Sequence, residues 1–503
     1  MLMLRRLIRD LVARRPRGLE EDAPGRAAAD AVARLKSGDL AGAELAARRA
    51  LRHDSTAAVA HLVIGRVALG RGDPDAARPT LERALVLDPA LDAARAALAE
   101  IALRSGRLDD AIALYRAALA RDAQSPQLLH ALGTALIERG DFDDAAALLR
   151  QALDLAPGLT AARESLSRAL FNARRFAAAE AVERELLAGE PDAIRLHLRL
   201  AHALLLQGKL DEGWTEYEWR LRQPGFTWGV RGLPRWDGAE PAGRAILVVS
   251  EQGLGDAILF ARFVPEVTRR GARVQLLCWP QLERLFRSSF ESEAISVSTD
   301  AVGDVAGVDA HLHLLSLPRA LDLLVPARDS GYLRLDPALA RSWRDRVAAG
   351  AGLKVGLAWA GNAQRSGDES RSLAPELLAP LRDAAGITWF NLQVGLEASS
   401  PRPFPMVDRM NEVADYADTA ALIDALDLVV SVDTSVAHAA AALRKPLWLL
   451  APHNVCWRWE IAGVESPWYP GVRMFRAQQL DAWEPVIEAV RLALQAAVVP
   501  PRS

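Results

Sequence analysis

Between about Pro24 and Arg222 one pattern returns every 34 residues without insertion. Ala43, Ala77, Ala111 and Ala145 share a position, and Ala50, Ala84, Ala118 and Ala152 share another seven residues later. Leu81, Tyr115, Leu149 and Tyr217 occupy a larger apolar slot between them. Gly65 and Gly133 fall in the first helix of their units, Gly38, Gly72, Gly106, Gly140 and Gly208 punctuate turns, and Pro89, Pro157 and Pro191 close units. A period of this length restricts the fold more than composition does. One unit is a helix pair that cannot bury its apolar face alone, so neighbours must stack to bury it for each other. Small residues at fixed places let the paired helices approach, and large ones fill the gap that is left.

The pattern resembles the tetratricopeptide repeat, with about six units starting near residues 24, 58, 92, 126, 160 and 194. That resemblance implies an α-solenoid over residues 24–225 whose concave face holds a protein or peptide partner. Asn172, His130, His197 and His202 either read a peptide backbone there or serve as packing and surface residues. Asp73/Asp75 and Asp141/Asp143 look like a nucleotide-sugar metal motif, but they sit in repeat turns, where Asp caps the following helix. The last unit runs into Trp214, Tyr217, Trp219, Phe226, Trp228 and Trp236, an aromatic cluster that predicts a capping surface packed on the next domain.

The charge balance excludes some roles. A net charge of -3 over 503 residues gives no basic face of the kind nucleic-acid binding needs. Two cysteines, Cys278 and Cys456, are too few for a disulfide framework and lack zinc-ligand spacing, so a reducing, cytoplasmic setting is expected. Residues 1–23 form a leader in which arginines interrupt every apolar run, which excludes a signal peptide, and nothing later approaches a transmembrane segment. The leader is read as a solvated helix; peripheral membrane contact through residues 1–15 is its one membrane role.

From Ala245 the periodicity changes. Strands are predicted at Ala245–Val249, Val274–Leu277, Ile295–Val297 and His311–Leu314, and, after an arginine-rich helix near Arg341–Val347, at Val355–Trp359, Thr388–Leu392, Leu428–Val432 and Leu447–Leu450. Strands alternating with helices imply parallel sheets with right-handed crossovers. Two such blocks suggest Rossmann-like domains over residues 226–345 and 346–503, with ligands beyond the carboxyl ends of their strands. The run Asp427 to His438 is the sharpest case: a β-branched strand, three N-cap residues, then an alanine-rich helix. The free N–H groups and partial positive charge of such a helix start accept a phosphate, rimmed by Asp433, Thr434 and Ser435, with His438 one turn in. An ordinary capped helix gives the same pattern. His311 and His313 alternate in a strand without a third ligand and are read as structural.

Glu251-Gln252-Gly253-Leu254-Gly255-Asp256, Leu315-Ser316-Leu317-Pro318, Val355 to Asn362, Arg371-Ser372-Leu373, Leu392-Gln393, Asp418 to Ile423, Asp433 to His438 and Ser466 to Pro470 together resemble the bacterial tetratricopeptide-repeat glycosyltransferases. The catalytic half of these is similar to glycosyltransferase family 9, the heptosyltransferases, of GT-B fold. The fold class so implied is α + α/β, a solenoid followed by two Rossmann-like GT-B domains, acceptor side first and nucleotide-sugar side second. The resemblance makes Asp256 the general base, although a helix cap is the competing role for that residue. It puts the donor phosphates at Asp433 to His438 and sets Gly253, Gly255 and Ser316 on the acceptor loops. Asn362, Arg365 and Arg371 lie beyond one strand end, where an arginine either pairs with phosphate or is solvated. Gln393 follows another strand and either contacts base or ribose or is loop polarity. Trp457 and Trp459 either stack on a ligand or pack in the core. No Asp-x-Asp follows Leu221, so a metal-independent reaction without a cofactor, with a nucleotide sugar as co-substrate, fits better; the family implies inversion.

The expected activity is transfer of a sugar from a nucleotide-activated donor to a protein or peptide hydroxyl selected by the repeats, as in flagellin-type O-glycosylation. Two alternatives stay open: a lipopolysaccharide or capsule acceptor, and a non-catalytic repeat scaffold with a degenerate GT-B half.

Overall fold

The computed structural model describes residues 23–224, 226, 232–299, 307–324, 331–348, 352–361, 371–394 and 402–498. The expected leader, apart from Ala23, lies outside them. The chain forms two compact units, Met1–Asp192 and Ala193–Ser503.

The first unit is a run of antiparallel helix pairs: α1 (Ala23–Ser37), α2 (Leu40–His53), α3 (Ala58–Gly70), α4 (Pro74–Leu87), α5 (Asp92–Arg104), α6 (Leu108–Leu119), α7 (Pro126–Arg139), α8 (Phe142–Leu155), α9 (Thr160–Asn172) and α10 (Phe176–Gly189). The repeating alanines are buried at the helix contacts. The small-to-large pairing is visible twice at the same spacing. A Cβ on Gly65 would lie 2.5 Å from Leu81 Cγ, and one on Gly133 2.8 Å from Leu149 Cγ. Turns close with the backbone that glycine tolerates best, as at Gly72 (φ +82) and Gly140 (φ +95). Asp73 caps α4 by accepting from Ala76 N at 2.9 Å, whereas Asp141 pairs with Arg139 instead of capping α8.

The sixth helix pair, α11 (Ile194–Leu206) and α12 (Leu210–Tyr217), continues the repeat pattern but belongs to the second unit. Its aromatics explain why. Trp214 is 0% exposed, edge-on to Phe260 at 5.7 Å and Trp457 at 5.2 Å, and donates to Leu324 O at 3.3 Å. Arg220, in the 3-10 turn after α12, grips Glu251 through Nη2 to Oε1 at 2.7 Å and Nε to Oε2 at 3.2 Å.

Two parallel sheets follow. The first has β1 (Ala245–Val249), β2 (Arg273–Leu277), β3 (Ile295–Ser298) and β4 (Ala310–His313) in the order β3-β2-β1-β4. Between and after its strands run α13 (Leu254–Ala261), α14 (Val264–Arg269), α15 (Glu283–Phe290), α16 (Leu317–Ala320) and α17 (Pro337–Val347). The second sheet comprises β5 (Leu353–Ala358), β6 (Ile387–Asn391), β7 (Leu428–Val432), β8 (Leu447–Ala451) and an edge strand, with α18 (Tyr416–Ala425) before β7 and α19 (Ser435–Ala442) after it. A two-residue antiparallel pair, β9 (Glu460–Ile461) and β10 (Val464–Glu465), precedes that edge strand, β11 (Arg473–Arg476), and α20 (Glu484–Val498) ends the described chain. The order is β11-β8-β7-β5-β6, all parallel. Every residue of β7 is buried, as a central strand covered on both faces requires. Sequence pattern missed β11 because arginines bracket its apolar centre, as suits an exposed edge.

Candidate functional site

A cleft of about 1050 Å³ opens in the second unit beyond the carboxyl ends of strands from both sheets. Its floor comes from the turns after β1, β5, β6, β7 and β8, and its lining includes Gly253, Gly255, Asp256, Arg371, Gln393, Asp433, Thr434, Ser435 and His438.

On the second-sheet side, β7 leads through Asp433 and Thr434 into α19. Thr434 takes the N-cap position with extended backbone (φ -139, ψ 172), yet no side chain caps the helix. Its hydroxyl instead meets Ser431 Oγ at 3.1 Å. The first turn of α19 therefore starts without a side-chain cap among residues that line the cleft, with the helix dipole behind it. Asp433 is flanked by His438 Nε2 at 3.7 Å and Arg371 Nη1 at 3.6 Å. Burial pushes its carboxyl up, but the hydrogen bond and charge of His438, the charge of Arg371 and a hydrogen bond from Trp459 prevail and pull it down to about 2. His438 is itself fixed, with Nδ1 3.1 Å from Tyr469 Oη and its ring stacked on Trp459 at 4.6 Å.

On the first-sheet side, β1 is followed by Ser250 and Glu251, and Gln252 turns the chain with a left-handed backbone (φ +59) into α13. Gly255 lies directly against α19. A Cβ there would sit 2.8 Å from His438 Cδ2 and 3.4 Å from Ser435 Cα, so only glycine lets the two helix starts meet. Asp256, one residue on, accepts from Gly253 N at 3.3 Å and forms an ion pair with Arg458 Nε at 2.6 Å. It is both a helix-start residue and a cleft carboxylate. Burial disfavours the Arg458 guanidinium, but the Asp256 carboxylate outweighs it and holds that group above its ordinary value.

Other expected residues fall elsewhere. Ser316, expected on the acceptor side, is 1% exposed and does not line the cleft. It accepts from Arg220 Nη2 at 2.8 Å and donates to Glu218 at 2.8 Å, so it belongs to the joint between the last helix pair and the first sheet. Gln393 lines the cleft, but Oε1 accepts from Trp359 N and Ala360 N at 3.0 Å each and Nε2 donates to Ala360 O at 2.9 Å. Its amide shapes the strand end instead of reaching for a base or ribose. Trp459 lines the cleft, whereas Trp457 packs beneath it among Trp214, Tyr217 and Phe260. His313 stands edge-on to His311 and Phe226, and among the described residues no three His, Cys, Asp or Glu side chains group as a metal site. Asn362 and Arg365 lie outside the described residues. Cys456 lines the cleft beside Arg458 Nη1 at 3.1 Å, and burial pushes its thiol up.

Sequence reasoning missed Arg458, Tyr217 and Tyr469 as cleft-supporting groups. Arg458 was visible only as a charge between two tryptophans. Its partner lies 202 residues away, a pairing that no local pattern announces.

Among the described residues no helix is long and apolar enough to cross a membrane. The tetratricopeptide-repeat family pattern matches residues 29–90, 62–126 and 130–194. Protein FlbA of Caulobacter vibrioides is 28% identical over 340 residues, which cover 61% of this chain and 56% of FlbA. The chain thus spans little more than half the length of that curated relative. Among solved structures, Pseudomonas aeruginosa PilF is 17% identical with a TM-score of 0.36, covering 40% of this chain and 91% of PilF. PilW, a type IV pilus biogenesis factor, is 18% identical with a TM-score of 0.37, covering 42% of this chain and 96% of PilW. This chain carries tetratricopeptide repeats in its N-terminal helices, and a region built on parallel sheets follows them.

Proposed function

We propose that the second unit is a glycosyltransferase of GT-B type, which takes a nucleotide-activated sugar in the cleft and moves the sugar to a hydroxyl of a protein or peptide selected by the repeats. The observation that carries this reading is the abutment of two helix starts, α13 and α19, in one cleft beyond the strands of both sheets. Bound anions are favoured there because unpaired N–H groups and helix dipoles need no rearrangement to meet them. Arg371 and His438 add donors at the same corner and offset the Asp433 carboxylate. Asp256 stands across from them as the candidate base for the acceptor hydroxyl. The protein acceptor follows from the repeats, since stacked helix pairs present a groove suited to extended polypeptide.

The test has two parts. A melting-point screen against UDP-, GDP-, ADP- and CMP-linked sugars should raise the transition for at least one donor, since a ligand bound by the native state alone stabilises it. Donor turnover should then be lost in Asp256→Ala while the melting shift persists. Sugar recovered only on lipid or oligosaccharide would move the acceptor away from protein.

One observation favours a second reading. The Asp256 carboxylate is engaged by Arg458 at 2.6 Å, as in a scaffold whose cleft no longer turns over. Donor binding without turnover in the wild type would select it.

A further inference from the structure

We infer that Tyr217 and Arg458 are positioning residues for Asp256, so that the last helix pair, though built like a repeat, is part of the reaction machinery. The inference rests on the transferase reading above. Tyr217 ends α12, and its hydroxyl accepts from Gln252 Nε2 at 3.0 Å and from Arg458 Nη2 at 3.2 Å. Arg458 Nη2 also donates to Gln252 Oε1 at 3.3 Å, while its Nε holds Asp256 Oδ1 at 2.6 Å. The guanidinium lies over the Trp457 ring at 4.4 Å, which fixes its plane.

Three consequences follow from this geometry. The left-handed backbone of Gln252, unfavourable for a residue with a Cβ, is held in place by the Tyr217 hydroxyl. Asp256 Oδ1 is taken by Arg458, while Oδ2 meets only the long contact from Gly253 N among the described residues. Oδ2 is therefore the oxygen left to accept a proton from an incoming hydroxyl. Arg220, three residues after Tyr217, clamps Glu251 on the same loop, so the start of the turn Glu251 to Asp256 is held at two adjacent residues by the end of the last helix pair, and its far end by Arg458.

Tyr217→Phe removes the hydroxyl and keeps the ring packed on Trp214 and Trp457. With the nucleotide sugar turned over fastest in the panel, kcat should fall roughly tenfold while the donor KM stays within about twofold, as for a misplaced base. Arg458→Lys should recover part of the rate that Arg458→Gln loses. A Tyr217→Phe enzyme with wild-type kcat overturns the inference, as does equal loss in the two Arg458 variants. If the wild type turns over none of the donors, the transferase reading fails by itself, and a stability cycle decides the positioning claim. Tyr217→Phe combined with Asp256→Asn should then destabilise less than the sum of the single changes, because both act through Arg458; additive losses overturn it.

Discussion

Each of the two units has its own kind of internal contact. In the first, partners are close in sequence: Gly65 faces Leu81, Ser167 donates to Glu183, and His130 meets Ser165 at 3.1 Å across 35 residues, one repeat on. In the second, Arg220 reaches Ser316 across 96 residues, Asp256 reaches Arg458 across 202 and Arg262 reaches Trp468 across 206. A repeat copies one interface many times, so no single residue is decisive. A cleft between two sheets is assembled once, from parts that share no local signal, and a few buried charges carry it.

The sharpest way to break this contrast is Arg220→Ala. It leaves Glu251, 0% exposed, without its cation, and should cost about 3–5 kcal/mol, as breaking buried pairs does. Denaturant unfolding should show the loss in the second unit and none in a fragment ending before it; a loss below about 1 kcal/mol would equalise the two regions.

Next in size is a pH effect from His130 in the first unit. Burial, aided by the Arg168 charge, lowers the His130 imidazole to about 4. Below its ordinary value the unfolded chain gains a proton that the folded one refuses. Stability is therefore full above about 6.5 and declines as pH falls to about 4, by up to about 3 kcal/mol. His130→Asn should remove its share of that slope in a pH series of melts, leaving the share of the buried His202 in the second unit.

Asp433 gives a dependence of the same sign in the second unit, displaced to lower pH. Its lowered carboxyl contributes about 2 kcal/mol that is fully present above about pH 4 and lost as pH falls toward 2. Asp433→Asn should remove that acid limb, and an unchanged limb would show that His438 and Arg371 do not hold the carboxylate.

The smallest effect compares one substitution in both places. Gly65→Ala must move Leu81, an overpacking cost partly offset by the helix preference of alanine, for a net loss of about 1 kcal/mol with donor shifts unchanged. Gly255→Ala should have a similar effect on melting but abolish the donor shift, because its methyl group meets His438 at the helix starts.

The sequence by itself determined the solenoid, the alternation of strand and helix, and eight of the nine parallel strands among the described residues to within a residue or two, because side-chain period and turn residues are local properties. It also located the turns after β1 and β7 that face the cleft. Only the tertiary structure decided that Ser316 is sealed in a joint, that the Gln393 amide is bound to backbone, that the sixth helix pair belongs with the sheets, and that Arg458 holds Asp256. Each depends on which distant segment supplies the partner of a polar group. A buried charge or amide must find such a partner, but nothing in its own neighbourhood along the chain says where.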